Sequence, residues 1–197
     1  MNSHPRRLIV GITGASGAIY GVRLLRLLQG SDIETHLVMS RSAKITLTQE
    51  MDMAVTDVSA LASVVHQVDN IGASISSGSF RTMGMVIAPC SMRSLAEISS
   101  GATSSLLSRA ADVVLKERRR LVLIVREAPL HLGHLRSMTA ATEMGAIVYP
   151  PVPAFYARPA SLEQMVDHTI GRVLDLFEIE NTAVSRWRGL NSIKNPD

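Results

Sequence analysis

Cysteine is nearly absent from this chain. One thiol in 197 residues, Cys90, excludes any intrachain disulfide and any cysteine-rich metal site. Aromatic residues are also scarce. The three Phe, three Tyr and one Trp are not interleaved with the one dense basic cluster, Lys116-Glu117-Arg118-Arg119-Arg120. A net charge of +3 and a pI near 9.4 therefore come without a base-stacking platform, and the expectation is no nucleic-acid partner, with most of the cluster a solvated helix end. Long apolar runs are missing too: Leu121-Val122-Leu123-Ile124-Val125 is among the longest, far short of the ~20 residues that span a bilayer. After Arg6-Arg7 the apolar residues run straight into a glycine loop rather than a cleavage site, so a cytoplasmic protein with no membrane contact is expected. No His-x-Glu or Asp-x-Asp pattern points to a metal site, and His131 and His134 have no carboxylate placed with them.

Glycine, by contrast, is concentrated where it has a use. Gly11-Ile12-Thr13-Gly14-Ala15-Ser16-Gly17 stands between Leu8-Ile9-Val10 and a helix-compatible run from Ala18. Such a loop turns tightly and approaches an anion, Ser16 adds a hydroxyl, and the next helix points its unpaired N–H groups at the ligand. The spacing G-x-x-G-x-x-G is not that of a dinucleotide fingerprint, and the second strand ends at Met39-Ser40-Arg41 without a ribose-binding acid. The loop therefore predicts a phosphate-bearing cofactor other than NAD.

Strand-length apolar runs recur at Leu8–Ile12, Ile33–Met39, Met83–Ala88, Leu121–Val125 and Ala146–Tyr149. Helical patterns fall between and after them, at Ala18–Leu28, Ser42–Glu50, Asp57–Val65, Ser91–Ile98, Ser105–Glu117, His131–Met144 and Ser161–Phe177. In the last of these Ser161 and Gln164 read as a capping box, and the helix is expected to pack on the sheet. Alternation of strands and helices predicts an α/β fold, a Rossmann-like (flavodoxin-like) doubly wound parallel sheet in a single domain over 1–197. Two segments, 70–80 and 150–159, read as irregular site loops. Ligands of open α/β sheets bind beyond the carboxyl ends of the strands, which gathers Gly14–Gly17, Ser40-Arg41, Pro89–Ser94, Arg126-Glu127 and Pro150–Tyr156 at one mouth.

At that mouth Ser91 is placed to cap a helix whose first N–H groups face an anion or a flavin edge. Cys90 beside it reads better as a small buried hydrophobe than as a nucleophile. Arg126-Glu127 carries a cation and a carboxylate directly off a strand, where buried charges must be paired or used. Arg109 and Lys116, seven residues apart, share a helix face, and with Arg172 they suit a small phosphate.

In order along the chain, Gly-Ile-Thr-Gly-Ala-Ser-Gly-Ala at 11–18, Ala-Pro-Cys-Ser at 88–91, Arg-Ala-Ala-Asp-Val-Val-Leu-Lys-Glu at 109–117, Arg-Glu-Ala-Pro at 126–129 and Ala-Phe-Tyr at 154–156 resemble the UbiX-like flavin prenyltransferases. Ser-Ser-Gly-Ser-Phe-Arg at 76–81 and Cys-Ser-Met-Arg at 90–93 are similar to the branch associated with hydroxyaryl acid decarboxylases. The resemblance implies transfer of a dimethylallyl group from dimethylallyl phosphate to N5 and C6 of reduced FMN. The product, prenylated FMN, would serve a UbiD-like decarboxylase. It implies that Gly14, Ala15, Ser16, Ser40, Ser91, Met92, Arg93, Ser94 and Arg126 hold FMN, and that Arg109, Lys116, Tyr156 and Arg172 hold the allylic phosphate. Glu50 and Glu127, with Ser16, would be the catalytic groups. It further implies a homo-oligomer, a dodecamer, with residues 178–197 as an oligomerisation tail in which Ala183–Gly189 reaches a neighbour.

The chemistry suits these residues. A departing allylic phosphate needs its charge neutralised in place, which cations and a tyrosine hydroxyl provide without a metal. Closing a ring at C6 needs an acid and a base, roles that the phosphate and Glu127 would share. Two departures from the family pattern stand out: Val125 where a proline often precedes Arg-Glu, and Arg136-Ser137 where an acid and an amide are usual. Alternative readings are a non-catalytic FMN-binding subunit and an NADP-dependent reductase in which Arg41 reads the extra phosphate. A cysteine-type decarboxylase lacks its expected Pro-x-Met-Asn motif here.

Overall fold

The computed structural model describes residues 5–186 and Gly189. Contacts divide the chain into two compact units, residues 1–151 and 152–197.

The first unit holds six parallel strands: β1 (Arg6–Ile12), β2 (Ile33–Met39), β3 (Val64–His66), β4 (Gly84–Cys90), β5 (Arg120–Val125) and β6 (Ile147–Val148). Its helices are α1 (Ala18–Leu28), α2 (Arg41–Glu50), α3 (Val55–Ser59), α4 (Met92–Ser100), α5 (Leu106–Lys116) and α6 (Leu132–Glu143). Spatial order is β3-β2-β1-β4-β5-β6, so the chain reverses direction of winding between β1 and β4. That switch point is where a doubly wound sheet opens a crevice at its strand ends.

Alternation along the strands sets the two faces. Ile9, Met85, Ile87, Leu121 and Leu123 join a buried cluster with Leu95, Ile98, Leu106, Leu107, Ala110 and Val114 of α4 and α5. Leu8, Val10 and Ile12 point the other way and are fully buried. On that face α1 comes so close that a Cβ on Gly21 would collide with the Ala88 carbonyl and lie 2.7 Å from Ile12 Cδ1. Only glycine permits that approach.

The structure departs from the sequence reading in one element of this unit. The helix expected over Asp57–Val65 stops at Ser59, and Val64–His66 form the edge strand β3. The β-branched pair Val64-Val65 favours extended backbone, and β2 offers an open edge, with His36, Leu37 and Val38 opposite Val64, Val65 and His66.

This edge carries a polar cluster that no local pattern signals. Arg7 Nε donates to Glu34 Oε1 at 3.0 Å, His36 Nε2 lies 2.7 Å from the same oxygen, and His36 Nδ1 lies 3.0 Å from His66 Nε2. Phe80 packs against it, under the Arg7 guanidinium (4.6 Å) and edge-on to His36 (5.1 Å). The loop at 78–80 is in turn held by Arg119, whose guanidinium donates to the carbonyls of Phe80 and Gly78 at 2.8 and 2.7 Å. Arg119 is thus a structural clamp rather than part of a solvated helix end. Burial first, then the charge of His36, lowers the His66 pKa, and the His36 hydrogen bond first of all lowers that of Glu34. A depressed imidazole binds fewer protons folded than unfolded, so its stabilisation falls as pH drops below about 6.5; a depressed carboxylate loses its own below about 4.5. Both signs agree. The melting temperature is expected to decline from pH 7 to pH 5 and to do so less steeply in His66→Gln; parallel profiles in calorimetric scans would remove His66 from the account.

The second unit contains a 3-10 turn, Phe155–Ala157, and α7 (Leu162–Asp175). Ser161 caps α7 by accepting from Gln164 N–H at 3.2 Å, but the reciprocal bond goes one residue further back, from Ala160 N–H to Gln164 Oε1 at 2.8 Å. The expected capping box is therefore half formed. In the tail, Arg186 pairs with Asp175 at 2.9 Å, while Trp187 and Arg188 lie outside the described residues.

Candidate active site

Four strand ends of the first unit are laced together at the switch point. Ser40 N–H donates to Ile12 O at 3.0 Å and Arg126 N–H to Cys90 O at 3.1 Å, joining β2 to β1 and β4 to β5 just past their ladders. Each tie delivers a site residue. Ser40 caps α2, accepting from Ala43 N–H at 3.0 Å, and Ser91 caps α4, accepting from Ser94 N–H at 3.3 Å.

Two neighbouring cavities open there. One of about 460 Å³ is lined by Gly14, Ala15, Ser16, Ser91, Met92, Arg93, Arg126, Glu127 and Ala128. The other, of about 360 Å³, is lined by Ser40, Arg41, Ser42, Val68, Asp69, Ser91, Arg93, Ser94, Glu97, Ser104, Ser105 and Leu107. They share Ser91 and Arg93. The structure thus brings together all nine residues expected at FMN, distributed between the two cavities. Ser42, Ser104 and Ser105 are lining residues that sequence reasoning passed over. Ser105 is the cap of α5, accepting from Ser108 N–H at 3.3 Å, which is the signal that could have found it.

The glycine loop behaves differently from the expectation. The first N–H groups of α1 are occupied: Gly17 and Ala18 donate to Glu50 Oε2 at 2.8 and 3.0 Å. A carboxylate at a helix N-terminus satisfies both the orphan donors and the positive dipole end, so this protein caps α1 with its own anion. One of the loop glycines follows from packing and another from backbone conformation. Gly14 sits where a Cβ would be 2.5 Å from Ser42 Cβ, and Gly17 has a φ of 103°. Burial raises the Glu50 pKa, but hydrogen bonds from Ser16, Ala18 and Gly17, with the charge of Arg126, outweigh it and hold the carboxyl below its usual value. Glu50 is an anion fixed against Ser16.

Arg126 and Glu127, expected as charges at the mouth that must be paired or used, are not paired with each other. Both are exposed within this chain. Arg126 Nε donates to Ser16 O at 3.1 Å, stapling β5 to the glycine loop. Glu127 Oε1 accepts from Ala128 N–H at 3.0 Å, which leaves Oε2 available to the cavity. Cys90 is fully buried and its thiol is pushed up to about 12 by desolvation, so it is inert as a nucleophile.

The cations expected at the allylic phosphate are each held by an adjacent carboxylate. Arg109 pairs with Asp112 at 2.7 Å and Lys116 with Glu117 at 2.5 Å on α5. In the second unit Arg172 pairs with Asp175 at 2.8 Å, and Tyr156 meets the His168 ring edge-on at 5.8 Å. Arg41, the alternative reader of a 2′-phosphate, is paired with Asp69 at 3.0 Å. Among the described residues no cluster of three or more His, Cys, Asp or Glu has metal-binding geometry, and no helix is long and apolar enough to cross a membrane.

Comparison with known proteins identifies the family of the chain. Residues 1–186 match the family model described as Flavoprotein. Flavin prenyltransferase UbiX of Escherichia coli K12 is 60% identical over 187 residues, covering 93% of this chain and 99% of that protein. A crystal structure of AnUbiX (PadA1) in complex with FMN and dimethylallyl pyrophosphate superposes with a TM-score of 0.93 at 49% identity, over 94% of this chain and 99% of that one. A dodecameric FMN-dependent UbiX-like decarboxylase from E. coli O157:H7 superposes with a TM-score of 0.90 at 50% identity, over 93% and 100%. With its switch-point cavities, its Arg-Glu strand end and relatives matched over nearly their whole length, the chain belongs to the UbiX flavin prenyltransferase family.

Proposed function

We propose that this protein transfers a dimethylallyl group from dimethylallyl phosphate to N5 and C6 of reduced FMN, and that prenylated FMN passes to a separate UbiD-like decarboxylase. The observation that carries the reading is the convergence of Ser16, Arg126 and Glu127 on a cavity shared with the start of α4. The donor set fits a flavin: hydroxyls and helix-start amides suit an electron-rich ring edge and a phosphorylated chain, and both cavities have the volume of small-ligand sites. Gly14, Ala15, Ser16, Ser91, Met92, Arg93 and Arg126 would hold the ring system, and Ser94 lies with Ser40 in the other cavity. Because Glu50 already caps α1, the phosphate belongs with the serine-lined cavity that includes Ser40.

Reduced FMN supplies the nucleophilic ring atoms when bound. The protein supplies charge and proton management. The family resemblance assigns the allylic phosphate to Arg109, Lys116, Tyr156 and Arg172. For the three cations the phosphate has to compete with Asp112, Glu117 and Asp175, which keeps those side chains ordered until a stronger anion arrives. Glu127 Oε2 takes the proton released at ring closure, and Glu50 fixes Ser16 beside it.

The same reading takes the chain as one catalytic domain with residues 178–197 as an oligomerisation tail, acting as a dodecamer in the cytoplasm. Exposed Leu132 and Leu135 on α6 and the dodecameric relative support the assembly. The test is functional transfer. Incubated without oxygen with reduced FMN and dimethylallyl phosphate, the protein should yield a released flavin that activates a separately purified apo-decarboxylase. An apo-enzyme that stays inactive with that flavin, while authentic prenylated FMN activates it, would overturn the proposal.

A further inference from the structure

We infer that Thr13 is a positioning residue for the flavin site: its hydroxyl joins β1 to β4 beyond their ladder and decides which amides at the start of α4 face the ligand. The inference rests on the flavin reading above.

The β1–β4 register ends at Gly11 and Ile87. Beyond it lies Pro89, which has no N–H to donate, and the β4–β5 register shifts between Ile87 and Cys90. A buried carbonyl and a partly buried amide need partners there. Thr13, 1% exposed, satisfies both. Its Oγ1 donates to Pro89 O at 2.7 Å and accepts from Ser91 N–H at 2.8 Å, while its own N–H reaches Pro89 O at 3.2 Å. Among side chains of this size a hydroxyl both donates and accepts through one atom, which is what this bridge requires.

The bridge selects donors. Ser91 N–H is taken by Thr13 and Ser94 N–H by the Ser91 hydroxyl. The first-turn N–H groups left for a ligand are those of Met92 and Arg93, both residues of the larger cavity. The same bridge holds the glycine loop, with Ala15 and Ser16, at a set distance from α4. Thr13 lines neither cavity. It acts through Ser91 and Pro89, and in the sequence it reads only as a spacer between glycines.

Thr13→Val keeps the shape and deletes the hydroxyl; Thr13→Ser keeps the hydroxyl. FMN affinity is expected to weaken about tenfold or more in Thr13→Val and to return to within about threefold of the parent in Thr13→Ser, with the Michaelis constant for dimethylallyl phosphate unchanged in both. Should Thr13→Val fail to fold, Thr13→Ala carries the same comparison. A residue that merely stabilised the fold would lower the melting temperature while leaving affinity intact well below it. Thr13→Val binding FMN within threefold of the parent, or Thr13→Ser binding as weakly as Thr13→Val, overturns the inference. Amide hydrogen exchange at Ser91, measured without flavin, tests the bridge independently: faster exchange in Thr13→Val supports it and unchanged exchange refutes it. A parent protein that binds no FMN would instead count against the flavin reading.

Discussion

Glu127→Gln is expected to bind FMN as tightly as the parent protein and to lose about 10²–10⁴-fold in prenyl transfer, the span typical of removing a general acid or base. The substitution keeps volume and keeps an oxygen for the Ala128 N–H, so the strand end that carries it is unchanged. What disappears is a carboxylate oxygen able to accept a proton. No ion pair with Arg126 is broken, because Arg126 is engaged with the Ser16 carbonyl instead. Single-turnover rates measured with saturating flavin and donor would settle the matter, and parent-like rates would reduce Glu127 to a local acceptor for one backbone amide.

Arg109→Gln is expected to act on the other half of the reaction. Removing one cation from a departing phosphate costs on the order of 10²–10³-fold when the charge is developed in the transition state. Flavin affinity should be preserved, since Arg109 lines neither flavin cavity. The fold should tolerate the change, because the lost Arg109–Asp112 pair is a partly exposed i,i+3 contact of the kind worth well under about 1 kcal/mol. A variant with the parent's rate constant and Michaelis constant for dimethylallyl phosphate would return Arg109 to the role of a surface ion pair.

How much of this was written in the sequence depends on the range of the interaction. Apolar runs announced five strands, because a buried parallel strand is read from consecutive residues. They missed β3, where three residues acquire strand character only from pairing with His36–Val38. The mouth of the site was legible through Gly14–Ser16, Ser91–Ser94 and Arg126-Glu127, since the rule for doubly wound sheets fixes where strand ends meet. The tenant of the α1 N-terminus was not legible. Glu50 lies 33 residues from Gly17, and nothing in the spacing says that a distant carboxylate will occupy amides a phosphate would also fit. Thr13 and Arg119 were overlooked for the same reason: their partners, Pro89 and the carbonyls of Gly78 and Phe80, are far away in sequence.

We propose that this chain alkylates a flavin and leaves decarboxylation of the acid to a separate enzyme. The most direct measurement is the mass of the flavin released after anaerobic incubation with reduced FMN and dimethylallyl phosphate, alongside carbon dioxide release from an aromatic acid by the same protein. A flavin heavier by one five-carbon unit and no carbon dioxide are expected. Unmodified FMN together with carbon dioxide released by this chain alone would contradict it.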